Sequence, residues 1–234
     1  MKDLLMRRPI DPEVLKLMVA ALPNVAFDGW SNSTFEAACR ETDISERKAR
    51  LSCPRGALDL AVAFHKWGDD QFETAFTKKE ISELKVREKI RKAVELRIKL
   101  ASDKEAVRRG VVLFAVPIYA FEGSRLIWDT ADLIWESIGD NSEDYNWYSK
   151  RTILSAVYAA TVLYWLGDNS EENKETWHFL DRRIEDVMKF ENAKVQLKTN
   201  KFTKELNGLA GNFLQKIKRP TRNIDPNLPG YLDT

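Results

Sequence analysis

Residues 139–184 read GDNSEDYNWYSKRTILSAVYAATVLYWLGDNSEENKETWHFLDRRI. A polar loop leads into a segment rich in aromatics. A second loop follows from Asp168 to Glu172, and the next segment carries Trp177, Phe179 and Leu180. No residue from Thr152 to Gly167 is charged. The run is shorter than the ~18 residues of a membrane span. It is also too apolar for a surface helix, so it is expected to be buried on all sides. The rest of the chain must cover it, or leave room beside it for an apolar ligand.

Working outward, the chain has 234 residues, enough for one or two domains with a sizeable core. Lys and Arg total 37 against 36 Asp and Glu, so no global field favours nucleic acid or an anionic membrane. Any such binding must come from a local patch. The opening MKDLLMRRPIDPE has no signal-type apolar core and no acid-free Arg/Ser-rich stretch, so no targeting peptide is expected. Cys39 and Cys53 are too few and too far apart for a CxxC pair and are expected to be reduced thiols.

Strand-length alternation with hairpin signals is missing from the sequence, which predicts an all-helical chain. Asp11-Pro12 caps a helix over Glu13–Leu22. Helices over Thr34–Glu41, Glu46–Leu51 and Ala57–Trp67 follow, with Ser45 as a cap. Short helix, turn, short helix and longer helix is the plan of a helix-turn-helix head. In a DNA-binding head Arg47, Lys48, Arg50 and Arg55 would meet phosphates or bases. Residues 1–70, however, carry ten basic against eleven acidic side chains, without the basic excess of a DNA-binding domain. The head therefore reads as a retained scaffold, with no nucleic-acid partner.

Glu80–Ala101 forms an amphipathic helix with Val86, Ile90, Ala93, Val94, Ile98 and Ala101 on one face. Lys104–Phe121 is the next helix, with a kink expected at Pro117. Gly123–Ile138 places Leu126, Ile127, Ala131, Ile134, Trp135 and Ile138 at helical spacing. Its aromatics read first as core, with a pocket lining as the alternative. A helix over Thr176–Leu197 precedes a polar linker, Lys198–Lys204. Phe202, Leu206, Leu209, Phe213 and Ile217 then recur at helical spacing among basic residues, the pattern of a helix that lies on a membrane surface. Docking on protein is the other fate of such a stripe.

Catalytic and cofactor patterns do not emerge. Glu175 and His178 form one Glu-x-x-His pair, but a di-iron bundle needs two, and Val62 stands three residues before His65. P-loop, dinucleotide and nucleophile-elbow motifs are missing from the sequence. The expectation is a non-enzyme with no cofactor and no metal.

The central stretch GDNSEDYNWYSKRTILSAVYAATVLYWLGDNS, with WHFLDRRIEDVM, resembles the Coq-nine family of ubiquinone-biosynthesis accessory proteins. So do FDGWSNSTFEAACRETDIS and PRGALDLAVAFHKWGDDQ, and the resemblance spans about Phe27 to Met188. It implies a TetR-like all-α fold, usually homodimeric, that has given up DNA regulation. It also implies a hydrophobic pocket for an isoprenoid quinone precursor or phospholipid, and presentation of that lipid to a membrane-associated hydroxylase. The family's hydroxylase-binding patch carries over as Asp144, Asn146, Trp147 and Tyr148, with Arg151 beside them. Its C-terminal membrane helix corresponds in character to Phe202–Ile217.

On apolarity and predicted facing, the candidate pocket lining is Val112, Val116, Tyr119, Trp128, Trp135, Val157, Thr161 and Tyr164. The expected organisation is a helix-turn-helix-like head over 1–70, a lipid-binding and dimerisation core over 71–197, and a membrane-contacting helix with an irregular tail over 198–234. The opening residues predict a cytoplasmic, bacterial-type protein held peripherally at the membrane. The alternative function is a TetR-type ligand-responsive transcriptional regulator.

Overall fold

The computed structural model describes residues 9–77, 81–101 and 103–199. Among them every regular element is helical.

Helix α1 spans Pro12–Asp28. The Asp11 carboxylate accepts from the Glu13 amide at 2.8 Å, and Pro12 occupies the first turn. The helix runs past the expected end at Leu22 because Pro23 does not stop it. Pro23 lacks an N–H for the Val19 carbonyl, but both residues are exposed, so water can serve that carbonyl. Gly29, at φ 67°, ends it. Leu17, Met18, Ala21 and Val25 form the buried stripe.

Helix α2, Asn32–Thr42, starts under the Ser31 hydroxyl and ends at Asp43 in the left-handed region. Helix α3, Glu46–Ser52, is capped by Ser45, whose hydroxyl accepts from the Lys48 amide. Helix α4, Ala57–Ala75, follows. These four helices and Trp30 enclose one hydrophobic cluster around Leu17, Met18, Phe35, Leu60 and Phe64. Cys39 and Cys53 are buried, unbridged thiols in it. Burial, with a smaller push from Asp59, raises the Cys53 thiol to about 12, so it stays protonated and unreactive.

Helix α5 spans Val86–Lys99, shorter than the expected Glu80–Ala101, because Lys85 is already the N-cap residue. Helix α6 is Lys104–Phe114 and helix α7 is Pro117–Ser137. The expected kink at Pro117 is instead a break between two helices. Val116, forced toward an extended conformation by the following proline, has φ −66° and ψ 129° and caps α7. The helices turn back on each other closely: a Cβ on Gly123 would lie 2.7 Å from Phe114 Cβ, so only glycine fits there.

Helix α8, Tyr145–Gly167, contains the uncharged run. It is not buried on all sides. Val157, Tyr158, Thr161, Trp165 and Leu166 face the interior, while Leu163 and Tyr164 are 57% and 37% exposed. The outer side is apolar but open to solvent in the single chain. A short 3-10 turn, Glu171–Asn173, leads to helix α9, Lys174–Thr199. Asp168 holds this corner. It accepts from the Thr176 amide at 2.8 Å, the Thr176 hydroxyl at 2.6 Å and the Ser170 amide at 2.8 Å. Burial pushes its carboxyl up, but these bonds outweigh it and hold it well below the usual range.

A second hydrophobic cluster joins the end of α4 to α5, α7, α8 and α9 around Phe72, Val94, Ile98, Ile134, Trp165 and Leu180. Helix α4 gives Phe64 to the first cluster and Phe72 to the second. The expected boundary after residue 70 thus falls inside a helix. Helix α6 lies against both cores, with Val107 packed on each. Arg109 donates to the Ala26 carbonyl of α1 and Arg108 to the Leu166 carbonyl of α8, both at 2.8 Å.

Candidate functional site: an apolar cavity between two cores

The two clusters do not close completely on each other. Between them is a cavity of about 310 Å³, within the range of small-molecule sites. Each bordering helix contributes one stripe at helical spacing. Helix α4 gives Ala61, Phe64, His65 and Gly68, and α6 gives Val107, Gly110, Val111 and Phe114. Helix α7 gives Ala120, Gly123, Ser124 and Ile127, while α8 gives Tyr158, Ala159, Val162 and Leu163. Trp30, Trp67 and Trp165 are also in the wall, as are Ile98, Leu100 and Ala101 around the end of α5. Small side chains set among bulky ones are what leave the space.

The wall is braced from behind. The Trp30 indole N–H donates to the Ala106 carbonyl at 3.2 Å. Its ring lies 5.6 Å from Phe64, and Phe64 lies 6.4 Å from Trp67. Lys104 Nζ sits 5.2 Å over Trp165 and donates to the Asp168 carbonyl at 2.6 Å. Ala115, Ala120, Ser124 and Leu163 are exposed lining residues, so the cavity opens on this side. Next to this opening, Val112, Val116, Ile118 and Phe121 form an exposed apolar rim.

None of the eight lining residues expected from the sequence borders the cavity. Val112 and Val116 are exposed, and Tyr119 and Trp128 are half-buried beside other side chains. Trp135 is core, its indole donating to the Lys150 carbonyl at 3.1 Å. Val157 and Thr161 are buried, Thr161 donating back to the Val157 carbonyl. Tyr164 stacks on Phe179 at 4.5 Å. Seven of the eight sit one residue from a true lining residue: Val112 beside Val111, Trp128 beside Ile127, Thr161 beside Val162. One residue rotates a side chain by about 100° around a helix, so the helices were right and the phase was wrong. In an uncharged run no polar face marks the phase. The signal that marks it is the small residues Gly110, Ala120, Gly123 and Ala159, all of which line the cavity.

The partner-patch residues divide in two. Asp144 caps α8, accepting from the Asn146 amide at 2.9 Å, and both are exposed. Tyr148 is half-buried. Trp147 and Arg151, by contrast, are core, at 6% and 0% exposure. The Arg151 guanidinium lies 4.1 Å over the Trp147 ring, pairs with Asp132 and Asp140, and donates to the Trp147 carbonyl. Phe202, Leu206, Leu209, Phe213 and Ile217 lie outside the described residues. No helix among the described residues is long and apolar enough to cross a membrane, and no group of His, Cys, Asp or Glu among them could hold a metal ion.

Fold and cavity together define a TetR-like all-α protein with an internal apolar pocket. The fold is shared with the TetR transcriptional regulator from Nitrosomonas europaea ATCC 19718, at a TM-score of 0.61 and 18% identity, covering 74% of this chain and 97% of that one. Residues 120–191 match the family model described as COQ9. It is 33% identical over 140 residues to the probable ubiquinone biosynthesis protein coq9, mitochondrial, of Dictyostelium discoideum, covering 57% of this chain and 42% of that one. It is 32% identical over 111 residues to the ubiquinone biosynthesis protein COQ9, mitochondrial, of Rattus norvegicus, and equally to that of Homo sapiens. Those matches cover 47% of this chain and 36% and 35% of theirs. The chain thus matches less than half the length of these curated relatives. The expectation of a cytoplasmic, bacterial-type protein is corrected here, because all three relatives are named as mitochondrial proteins.

Proposed function

We propose that this chain is a non-catalytic, lipid-binding accessory protein of ubiquinone biosynthesis that presents a quinone precursor to a membrane-associated hydroxylase. The observation that carries the reading is the cavity of about 310 Å³, apolar on nearly every wall and open at an apolar rim. An aliphatic tail gains about 0.8 kcal/mol per buried methylene and needs such walls more than polar contacts. The names of the relatives supply the pathway.

In this reading Asp144, Asn146 and Tyr148, at the start of α8, form the outer part of the hydroxylase contact, and Trp147 and Arg151 support it from beneath. The uncharged outer side of α8, with Leu163 and Tyr164, suits a homodimer contact. Phe202, Leu206, Leu209, Phe213 and Ile217 would bring the cavity to the membrane surface. The helices α2 to α4 would be an inherited helix-turn-helix that no longer regulates DNA. Lys48 is paired with Glu13 at 2.7 Å, Arg50 with Glu46 at 2.8 Å, and Arg55 with both Asp59 and Glu122. Cations already neutralised within the chain are poorly placed to neutralise phosphates.

Reconstitution tests the proposal. The chain alone should leave a quinone precursor in vesicles chemically unchanged. Added to the pathway hydroxylase on the same vesicles, it should raise hydroxylation several-fold. Turnover by the chain alone, or no stimulation at all, would contradict it.

A further inference from the structure

Arg55, in the turn before α4, joins the head to the cavity mouth. Its Nη1 donates to Glu122 Oε2 at 2.8 Å and its Nη2 to Glu122 Oε1 at 2.9 Å, a two-pronged pair between residues 67 apart in sequence. Asp59 aims the guanidinium, accepting from the Arg55 amide and from Arg55 Nε, each at 2.8 Å. Glu122 stands on α7 between Phe121, which is 82% exposed, and Gly123, which lines the cavity.

The segment that Glu122 fastens is otherwise lightly held. The elbow between α6 and α7 gives Phe114, Ala115, Ala120, Gly123 and Ser124 to the mouth. None of residues 115–122 is buried. Leu113 and Phe114 are only partly buried where they rest on the first cluster. The bonds that fix α6 lie nearer its start, from Trp30 to the Ala106 carbonyl, from Arg108 to the Leu166 carbonyl and from Arg109 to the Ala26 carbonyl. A segment with few buried apolar contacts opens at low free-energy cost. The Arg55 and Glu122 side chains are themselves 48% and 28% exposed. An ion pair so placed is weak and screened by salt, which suits a contact that breaks and re-forms.

We infer that the Arg55–Glu122 pair is a latch that holds the α6–α7 elbow against the head, and that its release opens the cavity mouth and sets the rate of ligand exchange. This rests on the lipid-binding reading above and adds a control over entry, whatever the ligand. Much of the remaining wall belongs to the two packed clusters, which resist rearrangement. The elbow is the part that can swing without disturbing the centre of either. The head is then the post to which the mouth is fastened, and the charges of its α4 turn serve the cavity.

Stopped-flow fluorescence of the delipidated full chain tests the latch. The probe is a decyl-substituted benzoquinone, which quenches Trp30, Trp67 and Trp165 on the cavity wall. It is uncharged, so salt acts on the protein alone. Glu122→Gln should raise association and dissociation rates together, by up to about fivefold, with the dissociation constant unchanged. With Arg55→Gln already in place, Glu122→Gln should add nothing. Raising NaCl from about 0.05 M to about 0.5 M should speed exchange in the wild-type chain and not in Glu122→Gln. Equal rates in wild type and Glu122→Gln, or the same salt response in both, would overturn the latch. So would faster dissociation with unchanged association, since the pair would then steady the bound state instead of gating it. In each of these cases quenching persists and lipid binding stands. Absence of saturable quenching in the wild-type chain would remove both.

Discussion

Replacing Asp69 with Ala is expected to lower the melting temperature by on the order of 10 °C. Asp69 and Arg97 are 2% and 3% exposed and tie α4 to α5 beneath the cavity. Removing one partner of a buried ion pair costs about 3–5 kcal/mol, because the remaining charge has no water to turn to. Arg97 would keep only the His65 carbonyl, and the Thr130 hydroxyl would lose an acceptor. Each kcal/mol moves the melting temperature of a chain of this size by about 2–4 °C. The double replacement Asp69→Leu with Arg97→Met, which removes both charges, should recover most of the loss. Thermal melts by circular dichroism read both results. A fall of less than about 2 °C for Asp69→Ala would mean that the pair does not hold the two helices together.

The second large effect is at Trp147. It is 6% exposed and lies under Arg151, with Trp128 at 5.9 Å and Tyr148 at 4.8 Å between ring centres. Losing a buried Trp costs about 3–5 kcal/mol. Trp147→Lys adds a second cation beside the fully buried guanidinium, so its fall should match or exceed that of Asp69→Ala. Tyr148→Lys, at a half-buried position, should cost no more than about 1 kcal/mol. Thermal melts of the two variants make the comparison. Equal melting temperatures would show that Trp147 is a surface anchor after all. A binding defect in Trp147→Lys therefore says little about the hydroxylase contact. Tyr148, Asp144 and Asn146 are the positions where loss of binding can be separated from loss of fold.

How much of this the sequence carries differs from residue to residue. Caps were legible because their chemistry is local. Asp11-Pro12 and Ser45 begin helices where the sequence places them. Pro23 and Pro117 look alike in one dimension, but the first is absorbed on an exposed helix face and the second divides two helices. That difference depends on what surrounds each proline. The family resemblance and the apolar centre were also legible. The cavity wall was not, because it depends on the rotation of α6, α7 and α8. A one-residue error moved the expected lining from Val111, Ile127 and Val162 to Val112, Trp128 and Thr161. Arg97 stands among the charges of α5 and Asp69 beside Asp70, and only the packing of α4 on α5 buries the pair. Arg151 likewise read as part of a surface patch and is fully buried.

The central claim is that the cavity holds a lipid. The most direct measurement is mass spectrometry of organic extracts, quantified per chain, from the purified protein and two variants. Val162→Trp places an indole in the cavity. Val19→Trp places the same side chain at an exposed position on α1, away from the cavity lining. The account predicts an isoprenoid or acyl lipid in wild-type and Val19→Trp extracts, and severalfold less in Val162→Trp, with all three proteins equally helical. Lipid-free wild-type extracts, or equal lipid in the two variants, would contradict it.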